Sequence, residues 1–70
     1  MGIPPDGVDA DWYRADAARW WAEADRLAGL RMAERANGAV RRSLLRAEMA
    51  ACQMARASEV MADRLAEGGQ

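Results

Sequence analysis

Histidine, lysine and phenylalanine are missing from the 70 residues, and cysteine and isoleucine occur once each. Without histidine there is no imidazole base, no imidazole metal ligand and no Glu-x-x-His iron motif. The lone cysteine, Cys52, rules out an internal disulfide and a cysteine-built zinc site. With no disulfide framework, the cytoplasm is favoured over secretion. Ser43 and Ser58 have no base to activate them, which removes hydrolytic triads. The glycines, at 2, 7, 29, 38, 68 and 69, are too scattered to form a phosphate-cradling loop. No stretch approaches the roughly 18 uncharged apolar residues of a conventional membrane span. Met1 to Asp11 has neither the basic start nor the apolar run of a signal peptide. The expectation is a protein that is not an enzyme and holds no metal and no cofactor.

What remains is alanine and arginine. Alanine supplies 17 of the hydrophobic residues that make up 51% of the chain, all ten basic residues are arginine, and the net charge is -1. That apolar share is too high for a disordered tail. Folding a chain of this mass hides roughly 6,800 Å², and if about 60% is apolar the gain is near 100 kcal/mol. Ordering the chain costs about 105 kcal/mol, so the balance is close to zero. Alanine makes the balance harder to tip, because a methyl group reaches only a short way from its backbone. A partner is therefore expected, either a second copy or a larger protein.

Residues 1–8, with Pro4, Pro5 and Gly7, read as an irregular lead-in. Asp9 is a candidate N-cap, with Asp11 adding negative charge to the first turn. From there to Glu67 the residues are overwhelmingly helix formers, and residues 68–70 read as a stop and a frayed end. Residues 9–67 thus form one helical domain of an all-α protein.

Tyr13, Ala17, Trp20, Trp21, Ala24, Leu27 and Ala28 share an arc of about 120° on a helical wheel. Leu30, Met32 and Ala33 fall outside it. A second face then runs through Val40, Leu44, Ala47, Ala51, Met54, Ser58, Met61 and Leu65 with the 4-3 alternation of a heptad seam. The chain must break or kink in between. Gly29 sits at the phase slip, whereas Asn37-Gly38 is suited to a turn and would give two matched helices of about 28 residues, roughly 42 Å long. Three arrangements fit: a two-helix hairpin turning within 29–38, a kinked helix pair, or a continuous rod assembling with its copies.

Every aromatic ring lies within ten residues: Trp12, Tyr13, Trp20 and Trp21. Trp20 suits a core between alanines, but two alanine-faced helices cannot cover three indoles and a phenol. At least one ring, Trp12 or Trp21, is expected in an intermolecular contact. No group nearby would ligate or orient a haem or quinone there. Leu45, Met49 and Cys52 make a second apolar stripe about 120° from the seam, which points to contact with two neighbours. Cys52 itself reads as a small buried hydrophobe. Ala47, Ala50, Ala51, Ala55 and Ser58 form a small-residue ridge that invites close helix approach. The candidate protein interface is therefore Trp12, Tyr13, Trp20, Trp21, Leu44, Leu45, Met49, Met54 and Met61.

Arg31, Arg35, Arg41, Arg42 and Arg46, against Glu34 alone, give residues 31–46 a local charge of +4. The plain reading is a solvated face balanced by acids such as Asp9, Asp11 and Asp16. The alternatives are an acidic protein partner or the phosphates of a nucleic acid. Net charge, the missing lysine and the lack of a DNA-binding motif weigh against nucleic acid. Glu59, Asp63 and Glu67 form an acidic ridge read as solvated. The leading expectation is a small adaptor, regulatory or accessory subunit that binds a larger protein or its own copies. An arginine-rich nucleic-acid-associated protein and a self-assembling structural subunit are the alternatives.

Overall fold

Asp9 opens the first helix. Its backbone is extended, and its carboxylate accepts the Trp12 amide at 3.1 Å, satisfying one of the free donors of the first turn. The computed structural model describes residues 9–68; the lead-in and the end of the C-terminal stop lie outside that range. Two helices, α1 (Ala10–Ala33) and α2 (Gly38–Gly68), fold back on each other as an antiparallel hairpin measuring 53 by 22 by 13 Å. Among the described residues there is no strand.

The turn is Glu34 to Asn37, and it is built from side chains. The Glu34 amide donates to the carbonyls of Leu30 and Arg31 as α1 ends. The Glu34 carboxylate then accepts the Ala36 and Asn37 amides at 3.2 and 3.0 Å. Asn37 Oδ1 in turn accepts the Ala39 and Val40 amides, which makes Asn37 the N-cap of α2. Gly29 lies inside α1, so the phase slip there is not a break. The helix runs one turn past its apolar face and carries Leu30 and Met32 into solvent, at 46% and 72% exposure.

Between the helices lies a contact made almost entirely of small side chains. Ala17, Ala24 and Leu27 are buried on α1; Ala51, Ala55, Ser58 and Ala62 are buried on α2. The heptad seam is thus not the face that meets α1. Of its members only Ala51 and Ser58 are buried and Leu44 is half-buried, while Val40, Ala47, Met54, Met61 and Leu65 are exposed. The reason is steric: Met54 or Met61 at the centre would hold the axes apart. Rotating α2 by roughly 60° brings the Ala55 and Ala62 row inward and lets the backbones approach. That rotation leaves bulky apolar side chains on both sides of the contact row.

Two substitutions test this packing. Ala55, wholly buried, changed to Leu should cost roughly 1–3 kcal/mol in denaturant unfolding, since added methyls must push the helices apart. Gly29→Ala should gain about 0.5–1 kcal/mol, because the added methyl meets no atom within 4 Å in a helical interior.

Candidate functional site

Three polar contacts cross the hairpin. The Trp21 indole N–H donates to Glu59 Oε2 at 2.8 Å, Arg31 Nε donates to Glu48 Oε1 at 2.8 Å, and the Ser58 hydroxyl donates to Asp16 Oδ2 at 2.6 Å. Helical spacing sorts them onto the two broad sides of the molecule. Asp16 and Ser58 meet on one side, which Trp20, Leu27, Met54 and Met61 share. Trp21 and Glu59 meet on the other, with Leu45, Met49 and Cys52.

Asp16 also pairs with Arg19 at 2.8 Å. The Ser58 hydroxyl foremost, and then Arg19, hold the Asp16 carboxyl below its ordinary value, against the opposing effect of partial burial. The carboxylate accepts from the hydroxyl, and the bond ties α1 to α2. Glu23 is likewise lowered by the Arg26 guanidinium beside it, and Arg26 is raised in return.

None of the four aromatic rings is buried. Trp12 is 40% exposed and meets Tyr13 edge to face, their centroids 5.0 Å apart; Tyr13, Trp20 and Trp21 are half-buried. Leu44 is half-buried, while Leu45, Met49, Met54 and Met61 are exposed at 42%, 55%, 48% and 37%. Cys52 is half-buried rather than buried, because it sits at the edge of the contact row. The apolar candidates therefore divide into two stripes on either side of the row that α1 occupies. Met54, Met61 and Leu65 lie on one side; Leu45, Met49 and Cys52 lie on the other.

The arginines gather at the turn. Arg31, Arg35, Arg41 and Arg42 line a shallow concavity of about 690 Å³ with Met32, Glu34, Gly38 and Leu45. Arg31 is committed to Glu48, whereas Arg35, Arg41, Arg42 and Arg46 have no acidic partner among the described residues. The acids expected to balance them do not reach. Asp9 caps α1, Asp11 pairs with Arg14 and Asp16 with Arg19, all at the open end of the hairpin. An antiparallel fold keeps residues 9–16 about 18 Å or more along the axis from residues 31–46.

Sequence reasoning passed over Glu48 and Glu59 as partners and offered Asp16 only to the arginines, since each contact depends on the relative slide of two helices. Ser58, a polar residue at a core position, was the available signal that something across the helix would bind it. Among the described residues no group of three or more cysteine or acidic side chains is placed to hold a metal ion, and no helix is long and apolar enough to cross a membrane. The chain matches no protein-family model, no curated protein and no solved structure.

The lowered Asp16 pKa fixes the sign of a pH effect. Its ordinary value is 3.8, so the stabilisation is complete above that pH and drains away as pH falls through the lower folded value. Ser58→Ala should cost about 1 kcal/mol near neutrality and flatten the acid limb of a stability–pH curve. An unchanged acid limb would show that the contact is not formed.

Proposed function

We propose that the chain is a small helical interaction module, an adaptor, regulatory or accessory subunit that works by docking rather than by catalysis. One observation carries this reading: α1 covers only the alanine row of α2 and leaves an apolar stripe uncovered on each side. Met54, Met61 and Leu65 are exposed on one side, Leu45 and Met49 on the other. Scattered exposed hydrophobics are ordinary on a protein surface. Stripes at helical spacing beside half-covered indoles are the anatomy of an interface, where Trp supplies anchoring area and Met adapts to its partner. The core supports the same conclusion. Among the described residues five of the six buried hydrophobic residues are alanine, and no large side chain is completely enclosed. Such a core leaves the lone hairpin marginal, and a docked chain supplies what it lacks.

The unpaired arginines at the turn favour a second reading, the gripping of nucleic-acid phosphate by Arg35, Arg41, Arg42 and Arg46. Duplex affinity that falls steeply with salt supports it, and no binding at about 50 mM salt removes it.

Thermal unfolding of the purified chain tests the interaction module. At about 1 µM the hairpin should melt below about 45 °C and bind a hydrophobic dye, and its melting temperature should climb when the docking partner or more of the chain is added. A monomer that melts cooperatively above about 60 °C without binding the dye would overturn the reading.

A further inference from the structure

We infer that the docked chain is a second copy of this one, stacked on the Met54 side about a two-fold axis, with the turn end of each hairpin over the open end of the other. The inference rests on the interaction-module reading and names its partner. It begins from the outward row of α2: Ala47, Ala50, Met54, Ala57 and Met61. All five are exposed, none is charged, and their 3-4-3-4 spacing keeps them on one side of the helix. Large and small side chains alternate within it. Run against itself in reverse about a point between Met54 and Ala57, the stripe sets Met54 opposite Ala57 of the second copy and Met61 opposite its Ala50. Each thioether then faces a methyl-sized gap.

Charge selects the direction. At the turn end, Arg31, Arg35, Arg41, Arg42 and Arg46 face two acids, Glu34 and Glu48, for a net +3; at the open end, Asp9, Asp11, Asp16, Glu59, Asp63 and Glu67 outnumber Arg14, Arg19 and Arg64 for a net −3. Two ways of laying one broad side on another satisfy two-fold symmetry. An axis along the hairpin puts turn on turn and arginine on arginine. An axis across it puts turn on open end and opposes the two signs. Because charges this exposed act over about 8 Å, they set orientation more than affinity.

The dimensions suffice. A broad side of 53 by 22 Å allows roughly 1,000 Å² to be covered on each copy, which is the scale of a stable homodimer. The opposite stripe lacks these properties. It is bordered by the Glu48 and Glu59 contacts, and the next helical position after Leu45, Met49 and Cys52 is the charged Arg56, so it is short and interrupted.

Sedimentation of the full chain across a concentration series, with circular dichroism on each variant, decides the matter. The unmodified chain should be a dimer, Ala50→Arg and Met54→Asp should each weaken the dimer at least tenfold while leaving a helical chain, and Met49→Asp should leave it intact. Spin labels on Ala36→Cys, in a Cys52→Ser background, should lie more than about 40 Å apart in the dimer. This distance needs no substitution at the interface, so it decides the orientation even if the charged variants unfold. A separation under about 20 Å, or a dimer disrupted by Met49→Asp but not by Met54→Asp, overturns the inference. A monomer with a low melting temperature overturns it and leaves the interaction-module reading standing; a stable monomer overturns both.

Discussion

Everything in this structure follows from how closely two helices must approach when the residues between them are alanine. A methyl group fills little space, so its burial is useful only when the opposing backbone comes within reach of it. Ala51, Ala55 and Ala62 on α2 and Ala17 and Ala24 on α1 meet that condition, and α2 is rotated until they do. The larger apolar side chains of α2 are displaced to the flanks as a direct consequence. The surface proposed for docking is thus what the inner packing leaves over.

An alanine row holds two helices close but says little about how they slide along each other, since one methyl-sized bump resembles the next. The three cross-helix polar contacts supply the missing information. Trp21 with Glu59, Arg31 with Glu48 and Ser58 with Asp16 are satisfied together at one register only. Among them the Ser58–Asp16 pair is the most sheltered: the serine is 7% exposed and the carboxylate 19%. Leaving either group buried and unpaired would cost more than the bond contributes, which is why such a contact fixes position better than it adds stability.

The helical character of this chain was legible in the sequence. Helix formers run from residue 10 onward, and Asp9 stood in the right place to cap them. The seam was legible as a pattern but misleading as a contact. The periodicity of Met54, Ser58, Met61 and Leu65 is real, yet the small-residue ridge was the better guide to the contact: its Ala51, Ala55 and Ser58 are buried, whereas its Ala47 and Ala50 are exposed. Which part of the ridge turns inward depends on the facing helix, which a single-helix wheel leaves out. The turn was legible in part, since Asn37-Gly38 marked where α2 begins; the part played by Glu34 was hidden. Glu34 looked like an isolated acid among arginines, and its role as acceptor for the Ala36 and Asn37 amides appears only once the backbone bends there. The balancing of the arginines by Asp9, Asp11 and Asp16 failed because sequence counting ignores the length of a helix.

The turn has a kinetic consequence. Its hydrogen bonds span two or three residues and need nothing from the rest of the hairpin. Beyond it the tertiary contacts lie at growing loop lengths: 17 residues for Arg31 to Glu48, 38 for Trp21 to Glu59, 42 for Ser58 to Asp16. Each closure shortens the loop left for the next, so the chain zips outward from Glu34–Asn37 and never has to search for a distant partner with its whole length free.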